Sequence, residues 1–120
     1  MTAEQCHQYL LALPDAIIDT PFGPQVLVFK VRGKMFATLG RHQGQMAMNL
    51  KADPYEAEAL RDLYPGIIPG YHMNKRHWNT VFIDSSVPGA ELQRMMLASY
   101  RLVVGGLNKA ERELLLARLN

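Results

Sequence analysis

Val26-Leu27-Val28-Phe29-Lys30-Val31-Arg32-Gly33-Lys34-Met35-Phe36-Ala37-Thr38-Leu39, continued by Gly40-Arg41-His42-Gln43-Gly44-Gln45-Met46-Ala47-Met48-Asn49-Leu50, holds three apolar runs separated by polar, glycine-bearing segments. Residues 26–31 have the β-branched and aromatic content of a strand. Arg32-Gly33-Lys34 has the form of a tight turn, and 35–39 of the strand returning from it. Residues 40–45 are polar with two glycines, and 46–50 make a third strand. Connections this short join antiparallel neighbours, so the three runs predict a meander.

The flanks predict helices around that sheet. Upstream, 15–25 reads as a loop because Pro21, Gly23 and Pro24 interrupt it. Before it, Cys6, Tyr9, Leu10 and Leu13 recur at helical spacing. Thr2 and Gln5 form a capping box ahead of them, and Pro14 stops the helix. Downstream, Asp53 caps a second helix with Pro54 at its first position and Glu56 at its third. Pro65-Gly66 ends it, 67–69 is extended, and 78–84 makes another strand. A long helix opens at Pro88, with Leu92, Met95, Met96, Ser99, Tyr100 and Val103 on one face, and Gly105-Gly106 breaks it. Asn108 caps a last helix, with Glu111 three residues on. The expected fold is α+β, an antiparallel sheet of about five strands packed against helices on one face, in a single domain over residues 1–120.

Composition narrows the classes. The 120 residues are 48% hydrophobic and 20% charged, ordinary for a globular domain. One cysteine, Cys6, excludes an intrachain disulfide. No apolar run approaches the roughly 20 residues of a membrane span. Residues 1–5 are not basic and no apolar leader follows, so the expected location is the cytoplasm, with no membrane partner.

The net charge of +2 is unevenly spread. Residues 20–52 contain no acid but carry Lys30, Arg32, Lys34, Arg41 and Lys51. Residues 63–83 contain no acid and carry Lys75 and Arg76. Asp53, Glu56, Glu58 and Asp62 are confined to the second helix and its cap. If the hairpin tips and residues 71–78 share one side, that side is positive, and its cations can reach phosphates. Asn74, Asn79 and Arg76 could then meet base edges, and Tyr71 or His72 could stack on a base. The plainer account is that cations at hairpin tips solvate turns and protect strand edges.

The densest collection of chemistry is Gly70-Tyr71-His72-Met73-Asn74-Lys75-Arg76-His77-Trp78-Asn79-Thr80-Val81. Followed by a strand ending at Asp84 and by Val87-Pro88, this run resembles the signature of the MmcQ/YjbR family. The resemblance continues through Pro21-Phe22-Gly23, Asn49-Leu50-Lys51-Ala52-Asp53-Pro54 and Ser99-Tyr100, nearly the whole chain. It implies a CyaY/frataxin-like fold. Members of the family are described as DNA-binding proteins with a double-wing motif, so the resemblance implies DNA as partner.

A second reading is a module binding a small molecule or a protein, with Tyr71, His72, His77 and Trp78 lining a pocket. Its discriminator is shape, since a concave pocket favours it and a convex basic face favours DNA. Trp78 is otherwise a half-buried anchor for the strand it opens. No metal site is expected: His72 and His77 are five apart, not i, i+4, and have no nearby carboxylate or cysteine pair. No catalytic residue or cofactor is expected either. Cys6 lies on an apolar helix face, and no phosphate loop or nucleophile elbow is present.

Overall fold

Local signals close each helix much as the sequence predicts. The structure is a computed structural model and describes residues 1–71 and 73–119. Helix α1, Ala3–Leu11, begins with the capping box: the Gln5 amide donates to Thr2 Oγ1 (3.1 Å) and the Thr2 amide to Gln5 Oε1 (2.9 Å). Asp53 caps α2, Pro54–Leu63, accepting from the amides of Tyr55 and Glu56. Helix α3 is Gly89–Gly105, and Asn108 caps α4, Lys109–Ala117, through the Glu111 amide. No helix among the described residues is long and apolar enough to cross a membrane.

The strands are β1 Ile17–Asp19, β2 Leu27–Val31, β3 Lys34–His42, β4 Gln45–Lys51, β5 Ile67–Pro69 and β6 Trp78–Phe82. They form one antiparallel sheet in the order β1-β2-β3-β4-β6-β5. The sheet therefore has six strands, and the predicted loop over 15–25 contains β1. Both meander turns are two-residue turns. Arg32 and Gly33 have φ of 50° and 77°, and Gln43 and Gly44 have φ of 55° and 80°. Two successive positive φ values match the right-handed twist of the strands they join. The second turn lets β3 run through 40–42, which the sequence reading assigned to a connection.

One sheet face carries the core. Phe29, Phe36, Leu39, Met48, Leu50 and Val81 are buried with Leu10 of α1, Leu60 of α2, and Leu92, Met96 and Tyr100 of α3. A bulge lies where Phe29 pairs with Ala37 while Lys30 pairs with Met35. Phe36 is the extra residue, and both Phe36 and Ala37 enter the core.

Asp15, at φ 56°, ties three elements together. Its carboxylate meets Arg118 at 2.8 Å, just past α4, and Arg32 at 2.9 Å, in the β2–β3 turn. The Arg118 hydrogen bond, aided by both cations, holds its pKa below the ordinary carboxylate value. A carboxyl whose pKa is depressed by folding adds stability above its unfolded pKa, about 3.9, and that stability is lost as pH falls through the folded value. Asp15→Asn keeps a residue that tolerates positive φ and removes the charge. Urea midpoints measured across this acid range should fall less steeply in the variant. A residual slope is expected from Asp19, whose pKa is lowered chiefly by its hydrogen bond from Lys30. Identical acid limbs would exclude the clasp as a contributor.

Candidate functional site

The strand register builds a polar row on the sheet face opposite the helices. Val28 pairs with Thr38, Thr38 with Asn49, and Asn49 with Thr80. The three polar side chains are joined. Asn49 Nδ2 donates to Thr38 Oγ1 (3.1 Å), and Thr80 Oγ1 donates to Asn49 Oδ1 (2.6 Å). Backbone amides complete the row: Asn49 N donates to Thr38 Oγ1 (3.2 Å) and Tyr71 N to Thr80 Oγ1 (3.1 Å). In the neighbouring row Gly40 pairs with Ala47 and Ala47 with Phe82. Two residues with little or no side chain leave a hollow there.

Two connections wall that hollow. The segment between β1 and β2 supplies Phe22 and Val26. It runs so close that a Cβ on Gly40 would lie 3.1 Å from the Gln25 carbonyl. The segment between β5 and β6 supplies Tyr71 and Met73. His42 stands at the end of β3 with its ring 4.5 Å from that of Tyr71 and 5.7 Å from that of Phe82. The hollow has a volume of about 500 Å³, within the range of small-molecule sites. Phe22 and Tyr71 are 72% and 52% exposed, an aromatic rim over a polar floor. Arg41 is the lining residue with a fixed charge, and it donates to the Gly44 carbonyl at 3.1 Å.

The predicted DNA-contacting residues have a different distribution. The β2–β3 and β3–β4 turns lie at opposite ends of β3, about 25 Å apart along a strand of that length. Arg41 is thus at one end, and Arg32, Lys34 and Lys51 at the other. The segment carrying Asn74, Lys75 and Arg76 leads into Trp78, which pairs with Lys51, so it joins the second group. Several of these side chains have local partners. Lys30 pairs with Asp19 (2.9 Å), Arg32 with Asp15, and Lys75 Nζ donates to the Gly70 carbonyl (3.1 Å). Asn74 Oδ1 accepts from the Arg76 amide (3.0 Å), and its carbonyl accepts from His77 and Trp78. Lys34 and Lys51 border the C-terminal end of α3 near Gly106, where a helix end favours cations. The two hairpin tips thus lie at opposite ends of the sheet, and the β2–β3 tip is the one at the same end as residues 74–76.

The aromatic residues expected to line one pocket lie apart. Tyr71 lines the cavity, whereas Trp78 does not. Trp78 is half-buried, its carbonyl accepts from Gly70 (2.9 Å), and Gly70 lies so close that a Cβ there would be 2.9 Å from Trp78 Cβ. His77 offers its carbonyl to the Ala52 amide, and His72 lies outside the described residues. Asn79 is 2% exposed on the helix side, where it accepts from Arg61 and donates to the Ala57 carbonyl. It is a tether for α2 with no access to a base edge. Thr38, Asn49 and Thr80, the floor, were not named as site residues, although Asn49 and Thr80 lie in the runs that carry the family resemblance. Among the described residues no three His, Cys, Asp or Glu side chains gather as metal ligands.

Comparison with known proteins agrees with this fold. A model of the YjbR family matches residues 11–102. The chain is 38% identical over 110 residues to YbdF of Escherichia coli O157:H7, covering 92% of this chain and 90% of the relative. It is 33% identical over 115 residues to YjbR of Escherichia coli strain K12, covering 96% and 98%. Neither name specifies an activity. The crystal structure of Deinococcus radiodurans DR2400, a DUF419 domain, superposes with a TM-score of 0.86 at 38% identity, covering 95% of this chain and 87% of that one. A Pseudomonas syringae crystal structure gives 0.76 at 28% identity, covering 86% and 99%. These matches give the six-stranded sheet and its helices relatives of the same kind; the likeness to CyaY is not among what they establish. Matched over most of its length in sequence and in fold, the chain belongs to the MmcQ/YjbR family.

Proposed function

We propose that this protein is a binding module whose open sheet face takes a small organic ligand. The observation that carries the reading is the cavity of about 500 Å³, floored by the Thr38–Asn49–Thr80 row and rimmed by Phe22 and Tyr71. Apolar walls around a few fixed polar groups are the usual construction of such sites. The described lining residues are aromatic, aliphatic, hydroxyl, amide, imidazole and guanidinium groups, a set suited to holding a ligand. DNA contact through phosphates is the less favoured reading, because Arg41 stands apart from the other cations and Lys30, Arg32 and Lys75 have partners within the chain.

The test is titration of the folded protein with an anilinonaphthalene sulfonate dye, followed by amide chemical shifts. Shifts should concentrate at residues 38–49 and 71–80. Ala47→Phe, which fills the hollow, should weaken the dye at least tenfold with little change in melting temperature. Tyr71→Ala, on the exposed rim, should weaken it less. Shifts confined to other surfaces would sink the proposal. A parallel titration with duplex DNA at about 50 and 200 mM salt addresses the other reading. Steeply salt-dependent binding, lost in a Lys34→Ala, Lys51→Ala, Arg76→Ala triple variant, would restore phosphate contact in its place.

A further inference from the structure

The floor of the cavity limits what the ligand can be. Asn49 lies on β4 between Thr38 on β3 and Thr80 on β6. An asparagine amide offers two N–H donors and two oxygen lone pairs. One donor goes sideways to Thr38 and one lone pair accepts sideways from Thr80. The amide therefore lies across the strands with both flanks occupied. Among the described residues no other hydrogen bond reaches its far edge, one N–H beside one lone pair. Turning the amide over exchanges the parts of the two hydroxyls and leaves the same edge.

We infer that the ligand is a flat heterocycle with an amide-type edge, N–H beside C=O or ring nitrogen, as in a nucleobase. This rests on the binding-module reading above. A donor–acceptor pair on a planar amide is met in full by a planar acceptor–donor pair, which is how asparagine recognises the edge of adenine. The walls fit the same ligand, since exposed aromatic rings give a flat heterocycle a stacking surface, and Phe22 and Tyr71 stand on the rim. A guanidinium carries five N–H donors. Arg41 places one on Gly44 and keeps others for an anionic substituent. The base can come from a free nucleoside or nucleotide, or from an unstacked position in a single strand.

The experiment titrates the whole chain with uridine, adenosine, their 5′-monophosphates and 3-methyluridine, whose methyl group removes the ring N–H. At least one nucleoside should bind in the cavity. If uridine binds, 3-methyluridine should bind at least tenfold more weakly. Asn49→Asp removes the donor at nearly constant shape and should weaken nucleosides at least tenfold while keeping the dispersed amide spectrum of the folded chain. Tighter binding of a ten-residue oligonucleotide than of the monomer assigns the base to a strand; equal or weaker binding assigns it to the free monomer. If the dye occupies the cavity but no nucleoside does, or methylation and Asn49→Asp have no effect, the edge inference fails and the cavity reading survives. If neither dye nor nucleoside binds there, both fail.

Discussion

Tyr100→Ala is expected to lower the unfolding free energy by about 3–5 kcal/mol, the range for removing a fully buried aromatic side chain. Tyr100 is 0% exposed and meets Phe36 edge-on at 5.2 Å, and Phe36 in turn meets Phe29 at 6.4 Å. The ring thus joins α3 to β3 and, through Phe36, to β2. Its hydroxyl donates to the Pro14 carbonyl at 2.8 Å, fixing the chain just before Asp15. Burial raises the phenol pKa and the Asp15 carboxylate adds to the rise, so the hydroxyl stays protonated as a donor at neutral pH. Tyr100→Phe keeps the ring and removes only that bond, for about 1 kcal/mol. A domain of this size is commonly stable by about 5–15 kcal/mol, so the alanine variant loses a large share. Urea unfolding with an unchanged denaturant slope is the measurement. A loss below about 1.5 kcal/mol would mean that the cavity left by the ring collapses, and that this ring is not the centre of the core.

The parts of this fold that could be read in the sequence are those with local causes. The capping box at Thr2 and Gln5, the Asp53-Pro54 entry and the Asn108 cap are each decided within four residues, and each is present. Strand β1 escaped because three residues carry too little periodicity to stand against Pro21, Gly23 and Pro24, and its pairing with β2 is what makes it a strand. The bulge at Phe36 also breaks alternation, so the consecutive residues Phe36 and Ala37 both face the core. The site was only partly legible for a related reason. Treating 40–45 as one connection hid the two-residue turn at Gln43-Gly44. Placing that turn sets His42 opposite Gln45 and, by counting back, Thr38 opposite Asn49. Thr80 could not be reached by counting, because α2 and β5 intervene before β6. Asn79 was misassigned for the opposite reason: one residue along a strand reverses the face, and which face meets α2 is a tertiary fact.

Ser99→Ala is expected to cost about 2–4 kcal/mol, although it removes a single oxygen, because two backbone groups depend on it. Ser99 is 0% exposed on α3. Its Oγ donates to the Phe36 carbonyl and accepts from the Lys51 amide at 2.8 Å. Phe36 is the bulged residue, displaced from the regular β2–β3 ladder, and Lys51 is the last residue of β4. The hydroxyl completes both strands where their own pairing is irregular or ends. Alanine leaves a donor and an acceptor facing a packed helix, and each unmet buried group costs about 1–3 kcal/mol. Ser85 provides the contrast: its Oγ donates to the Phe82 carbonyl in an exposed position, where water can replace it. Ser85→Ala should therefore change stability by no more than about 0.5 kcal/mol. Hydrogen exchange gives the local readout, since the Lys51 amide should lose protection in Ser99→Ala while core β4 amides exchange in step with global stability. Thr38 and Asn49 lie on the two strands that Ser99 joins to α3, so a loosened junction should also weaken dye binding in the cavity. Equal effects at Ser99 and Ser85 would show that the junction relaxes to supply other partners, and that α3 does not hold β3 and β4 through this hydroxyl.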